Sequence, residues 1–355
     1  MAVADASRIG PPAARHDRIV RQRPFVVRNA RVLLIWALLL ALMGVYIAEA
    51  PQFRPREQRT IANSGMTLAA AGLGQTLVVL TGGIDLSVGP MVSLTNSIAS
   101  ATTDKEDPNG SMARAAALAL AVGALGGLIN GVLVAYGRLQ PIIVTLATAS
   151  IWTGIALLVR PDPGGYIPPD FTALLAGQFF DDGPIALPFG LVWDRPVPSA
   201  VFLLIGLVVV WLLFRRTPLA TRIYAVGSSE GAAYMSGVNV ARAKMAAYTL
   251  AGLAAGFGGL ITSAQTSTGN ALAGNFFTLN SIAAVVLGGA SLAGGSGTFL
   301  GTLAGAYVIA LIPSVLFFYG VSTFYQQLFQ GSILLIAVSL GALGVFRIRN
   351  RIERL

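Results

Sequence analysis

Among the 15 Asp and Glu residues of this 355-residue chain, Asp85 alone falls between two long apolar runs. It sits in Thr81-Gly82-Gly83-Ile84-Asp85-Leu86-Ser87-Val88-Gly89, a polar stretch hinged by glycine. A carboxylate at membrane depth costs about 2.5–3.5 kcal/mol on insertion scales, so its presence marks a partner, a cavity or water. Two readings stand side by side. Asp85 is a pathway group, or it caps the helix that begins near Leu86 and meets that helix's backbone N–H groups. Other chemistry is thinly represented. There is no cysteine, which excludes disulfides, thiolate metal sites and a cysteine nucleophile. The single histidine, His16, lies in an arginine-rich tail, so neither a histidine metal site nor histidine acid–base chemistry is expected. Nucleophile–base pairs are not visible, and no enzyme activity is expected. A phosphate-binding loop needs Gly-x-x-x-x-Gly-Lys-Ser/Thr, and neither Lys105 nor Lys244 has that setting. Transport driven by ATP would therefore draw on another polypeptide.

The elements that hold these residues are membrane helices. Hydrophobic residues make up 55% of the chain, charged ones 11%, and the mean hydropathy is +0.72, a composition foreign to soluble domains. A spanning helix needs about 20 apolar residues. The sequence offers about ten, over 32–49, 61–81, 84–103, 113–135, 141–159, 198–214, 244–264, 280–293, 298–318 and 324–346. The expected fold is an all-α polytopic bundle, with a permease-like body over 32–346 between basic tails at 1–31 and 347–355. The first helix is expected to remain uncleaved, because the apolar run at 32–49 has no small-residue cleavage site and is long enough to span. With the N-terminus inside, Lys and Arg concentrate in the inner segments, including Arg215, Arg216, Arg222, Arg242, Lys244, Arg347, Arg349, Arg351 and Arg354, while acidic residues concentrate outside. Both termini are thus expected in the cytoplasm; Arg54, Arg56 and Arg59 fit this least well. The basic excess follows membrane orientation, and nucleic acid is not expected as a partner.

The eighth run is short and is interrupted by a second glycine-rich break, so it reads either as a span or as a half-helix that meets the next helix at the break. Val285-Val286-Leu287-Gly288-Gly289-x-x-Leu292-x-x-Gly295 echoes Val78-Val79-Leu80 with Gly82-Gly83-x-x-Leu86-x-x-Gly89. A repeat aligned on the glycine pairs would put Ser291 where Asp85 sits, with both breaks lining a pathway. Chance recurrence in glycine-rich helices is the other reading. Polar candidates for a pathway are Asn63, Gln75, Ser87, Asn96, Asn130, Thr145, Asn280 and Ser291; each could equally serve as an interhelical hydrogen bond. Crowded small residues at 123–127 and 251–259 signal close helix packing. The outer stretch 160–197, rich in Pro, Asp and Phe, reads as a lid or as a docking surface for a soluble partner. Inside, the stretch 215–243 reads as a long loop carrying one short helix from Glu230 to Ser236, capped by Ser229 and stopped by Gly237. Residues Ser229, Glu230, Gly231, Ala232, Ala233, Tyr234, Met235 and Gly237 suit insertion into a groove on a cytoplasmic partner, or a helix lying on membrane lipid.

In order, Thr81–Gly89, Asn130-Gly131-Val132-Leu133-Val134-Ala135, Gln140–Leu146, Tyr224–Gly237 and Ile282–Gly295 resemble the inner-membrane permeases of ribose-type sugar ABC importers. The resemblance spans about 30–346. It implies a bacterial inner-membrane subunit that works with a second permease copy or paralogue, two cytoplasmic ATP-binding subunits and a periplasmic sugar-binding protein. ATP and Mg would be held by the ATPase, with no cofactor on this chain. The Glu230–Gly237 segment would be its coupling element. The chain departs from the family at Thr278-Leu279-Asn280, where members carry Glu-Leu-Asp; two carboxylates near the presumed outer mouth are neutral here. Rival expectations are a permease for a non-sugar solute such as branched-chain amino acids, and an ion-coupled secondary transporter built on Asp85.

Overall fold

The computed structural model describes residues 25–50, 55–180 and 196–322, with scattered positions in 185–193 and 324–335. The expected tail up to residue 24, the part of the outer stretch at 181–184, 187–191 and 194–195, most of the tenth helix and the tail at 347–355 lie outside the described residues. Thirteen helices are described: α1 (Phe25–Glu49), α2 (Pro55–Ser64), α3 (Met66–Leu80), α4 (Val88–Thr102), α5 (Pro108–Ala135), α6 (Pro141–Val159), α7 (Pro169–Ala176), α8 (Ser199–Phe214), α9 (Pro218–Ser228), α10 (Glu230–Met235), α11 (Val240–Thr266), α12 (Asn275–Leu287) and α13 (Phe299–Phe318). Strands are confined to two-residue pairs in the outer stretch, β1 (Gln178–Phe179) with β4 (Val197–Pro198) and β2 (Ile185–Ala186) with β3 (Val192–Trp193). The chain is an all-α polytopic membrane protein.

Length separates two kinds of helix. Five are long and apolar enough to cross a membrane, namely residues 30–49 of α1 together with α5, α6, α11 and α13; α8 and α9, bent by 77°, make a sixth if taken as one. At 1.5 Å per residue the 15 residues of α3 and of α4 reach about 22 Å, and the 13 of α12 reach about 20 Å, short of a hydrocarbon core of about 30 Å. Full spans read over 61–81 and 84–103 are therefore corrected to short helices that end at breaks inside the fold, and of the two readings of 280–293, span or half-helix, the 13-residue α12 ending at Gly288 favours the half-helix. The run at 61–81 is divided at Gly65, where a side chain would strike the Tyr307 ring. The first helix also starts earlier than expected, at Phe25, and absorbs the end of the basic tail.

Two of the short helices, α3 and α4, lie innermost, while α12 is buried only over Asn280–Val285, with Phe276 and Leu279 exposed. Every residue of α3 is buried, and α4 is buried from Val88 to Ser100. They pack on α11, which lies along α5 through a seam of small residues. A Cβ at Gly123 would meet the Gly252 carbonyl, one at Gly127 the Tyr248 carbonyl, and one at Gly131 the Met245 Cα. Backbones this close exchange dispersion contacts that larger side chains would prevent, which is how helices associate without a hydrophobic drive. Trp36 Nε1 donates to Leu300 O at 3.1 Å and Trp211 Nε1 to Thr298 Oγ1 at 3.2 Å, tying α1 and α8 to the start of α13.

Candidate functional site

Both glycine breaks end a helix in the same way. After α3, Gly82 has φ +81°, its N–H donates to Val79 O at 2.9 Å, and Gly83 N donates to Val78 O at 3.2 Å. After α12, Gly289 has φ +86°, its N–H donates to Val286 O at 2.9 Å, and Ala290 N donates to Val285 O at 3.1 Å. These are paired Schellman caps, in which a left-handed residue lets two otherwise orphaned carbonyls be satisfied. The structural equivalence runs Gly82 to Gly289, one residue off the alignment of glycine pairs. Asp85 therefore corresponds to Leu292 and not to Ser291. The exits then differ. The first break enters α4 at Val88, whereas the second makes further turns at Gly294, Gly295 and Gly297, all with positive φ, before α13. Ser291 belongs to those turns; its N–H donates to Ser296 O at 2.9 Å, and its Oγ accepts from Ala293 N at 3.2 Å.

Far apart in sequence, the two breaks meet. Gly295 N donates to Leu80 O at 3.1 Å, and Gly294 lies against the Gly82 N–H and the Gly227 carbonyl. Gly227, near the end of α9, is wedged between Leu80 O and Gly295 N with no room for a side chain. Tyr224 Oη, one turn earlier, donates to Gly297 O at 2.7 Å. The helix α9 thus touches both breaks directly. Sequence reading took 215–243 as loop outside Glu230–Ser236 and missed α9. The signal was present in Thr217-Pro218, where Thr217 Oγ1 accepts from Ala220 N and proline occupies the first helical position.

Asp85 is 2% exposed and has no ion-pair partner among the described residues. Its Oδ1 accepts from Ser87 N at 2.8 Å and from Ser87 Oγ at 2.7 Å. Ser87 Oγ in turn accepts from Asn130 Nδ2 at 2.8 Å, so α5 is drawn to the break. The Gln75 side-chain amide, oriented to satisfy both of its ends, brackets the Asp85 backbone, donating to the carbonyl at 3.0 Å and accepting from the N–H at 3.3 Å. From α6, Thr145 Oγ1 accepts from Leu86 N at 3.0 Å. Gln75, Asn130 and Thr145 thus fasten one irregular segment from three helices, which is how non-helical backbone is satisfied at membrane depth. Asp85 serves the turn into α4 locally while lying in this buried polar cluster. Asn130 Oδ1 and Tyr248 Oη, both buried, have no hydrogen-bond partner among the described residues. Tyr248 sets its hydroxyl against the Cα side of Gly83 and leaves no space for a side chain there.

The remaining candidates are dispersed. Asn96 lies toward the other end of α4, where Nδ2 donates to Ser263 Oγ at 2.8 Å and Oδ1 accepts from Asn270 N at 2.7 Å, pinning the turn between α11 and α12. Gly89 lets α4 approach Gly274 and Thr278, and Gly288 lets α12 approach Gly301. Asn280 Nδ2 donates to Phe276 O within α12 at 2.7 Å, and Asn63 Nδ2 donates to Ala176 O at 2.8 Å. At the other end of the molecule, α10 is capped by Ser229 Oγ, which accepts from Ala232 N at 3.3 Å, and ends at Gly237 with φ +80°. Ala233 is its buried anchor, while Tyr234 and Met235 are 72% and 84% exposed. Gly231 faces open space.

The sequence of these elements is shared with known proteins. Residues 59–338 match the family described as branched-chain amino acid transport system / permease component. The ribose import permease protein of Escherichia coli strain K12 is 40% identical over 272 residues, covering 76% of this chain and 80% of that protein. Its counterpart from Bacillus subtilis strain 168 is 37% identical over 293 residues, covering 80% and 85%. The galactose/methyl galactoside import permease protein of Haemophilus influenzae is 31% identical over 323 residues, covering 87% and 93%. No solved structure matches. On the extent of the family match and on these coverages, the chain belongs to the family of transport-system permease components that it shares with ribose-type import permeases.

Proposed function

We propose that this chain is the membrane permease subunit of an ATP-driven importer, forming the route by which a neutral monosaccharide crosses the bacterial inner membrane. The sugar is read from the relatives, which are named for ribose, galactose and methyl galactoside. The observation that carries the mechanism is the junction of α9 with both breaks: Gly227 against Leu80 O and Gly295, and Tyr224 Oη on Gly297 O. A cytoplasmic ATPase that grips α10 through Tyr234 and Met235 would displace α9 with it, and α9 abuts the two places where the buried helices are interrupted. ATP and Mg belong to that ATPase, and no cofactor is assigned to this chain. A periplasmic binding protein delivers the sugar, and a second permease copy or paralogue completes the pathway. The pathway needs hydrogen-bonding groups that hold sugar weakly, since tight binding would retain it between cycles.

Transport by an ion gradient through Asp85 is disfavoured. Its carboxylate is engaged by Ser87, and proton relays in membranes generally use chains of ionisable groups. Solute class is tested with the complete complex in proteoliposomes, offered neutral monosaccharides and, separately, leucine, isoleucine and valine. We expect ATP-dependent uptake of one or a few monosaccharides and none of the amino acids. Amino-acid uptake without sugar uptake would overturn the reading.

A further inference from the structure

Two cavities adjoin the junction on the side of α9 and α10. The smaller, about 340 Å³, is bounded by Thr81, Gly82, Gly83, Gly227, Tyr248 and Ala293, so it lies directly at the first break and touches the second. The larger, about 630 Å³, is a groove bounded by Ala135, Arg138, Leu139, Tyr234 and Asn239. Four residues form walls of both: Val134, Pro141, Glu230 and Lys244. The last two are an ion pair, with Lys244 Nζ 2.6 Å from Glu230 Oε2. Glu230 stands in the first turn of α10, and Lys244 stands near the start of α11. The Lys244 side chain is 19% exposed and the Glu230 side chain 59%, so the pair lies at the mouth of the groove with its lysine turned inward.

We propose that the Glu230–Lys244 ion pair is a latch between the chamber at the glycine breaks and the groove beyond it, opened when α10 is displaced. The proposal rests on the reading of α10 as the ATPase contact. Three features favour it. The pair joins the one helix offered to a partner with the helix that carries Tyr248, and Tyr248 sits one turn beyond Lys244 with its hydroxyl against Gly83. Parting Glu230 from Lys244 removes the charged portion of the shared wall and leaves Val134 and Pro141. A neutral polyol, moreover, brings hydrogen bonds but no charge, so it cannot replace either partner as it arrives. The latch stays shut against the solute alone and yields to movement of α10.

The chain contains no cysteine, so Glu230→Cys combined with Lys244→Cys gives a clean probe. In the complex with its ATPase, a short bifunctional thiol reagent should cross-link the two positions readily without nucleotide. In the complex trapped with ATP and vanadate, the yield should fall at least threefold. Equal yields in the two states would overturn the latch. In a second arm, Glu230→Lys and Lys244→Glu should each lower sugar uptake per ATP hydrolysed at least tenfold, and the two combined should recover to within threefold of wild type. Single variants that transport normally would overturn the proposal, as would a double variant no better than the singles while the ATPase still co-purifies. A wild-type complex that carries no sugar would overturn the importer reading instead; the cross-linking arm needs no solute and still decides the latch.

Discussion

At the scale of single residues, the buried carboxylate is explained by local hydrogen bonding. Asp85 Oδ1 accepts two bonds from Ser87, and Ser87 Oγ accepts one from Asn130. An asparagine at position 85 presents an equivalent acceptor without charge. We expect Asp85→Asn to retain ATP-driven uptake to within about threefold. Asp85→Leu should destabilise the purified protein by about 1–3 kcal/mol, the cost of leaving a buried N–H unpaired, seen as a lower midpoint in thermal unfolding in detergent. Complete loss of uptake in Asp85→Asn, with the protein folded as wild type, would restore a transport role for the charge. Residue type alone singled out Asp85 because a lone acid between apolar runs is conspicuous. It could not show that Asp85, Gln75, Asn130 and Thr145 act on one segment. That convergence depends on how α3, α5 and α6 are arranged, which no spacing in the chain records. Asn96, chosen on the same grounds, proves to hold an outer turn more than two helical turns away along α4.

At the scale of elements, the informative feature is the pair of matching helix ends. The glycine-rich echo was visible, and so was the short helix Glu230–Met235, because caps and stops are written in local residue types: Ser229 before it and Gly237 after it. The register of the echo was not visible. Glycine pairs suggested Gly82 with Gly288, but the left-handed position is the second glycine of the later pair, and the hydrogen-bond pattern fixes Gly82 with Gly289. Hydropathy likewise marked apolar runs without showing where helix geometry stops inside them, so short helices were read as spans. The shared geometry has a measurable consequence. An L-residue in left-handed conformation costs about 1–2 kcal/mol. Gly82→Ala and Gly289→Ala should therefore each lower stability by that amount in thermal unfolding, and together they should uncouple ATP hydrolysis from uptake. Alanine at Gly83 and Gly288 acts through a different cause, since neither has positive φ and both face close neighbours, the Tyr248 hydroxyl and the backbone of Gly301. Unchanged stability and unchanged uptake in the Gly82/Gly289 double variant would contradict the role given to the breaks.

At the scale of the whole molecule, the arrangement is a set of long helices around two short buried ones, α3 and α4, with one element, α9, that reaches both interruptions. Composition alone made the all-α membrane fold legible. The motif order gave the resemblance to ribose-type permeases, and the matches to import permeases from Escherichia coli, Bacillus subtilis and Haemophilus influenzae agree with it. What composition could not convey was the contact between residues as distant as Leu80, Gly227 and Gly295, the link through which a cytoplasmic partner would act. The proposal that this permease draws its energy from a separate ATPase is the claim to test first. The measurement is sugar uptake into proteoliposomes holding this chain with its ATPase and its binding protein, with ATP inside or withheld, and with each component omitted in turn. The account predicts uptake only when ATP and all three components are present. Accumulation of solute by this chain alone, driven by a proton or sodium gradient, would contradict it.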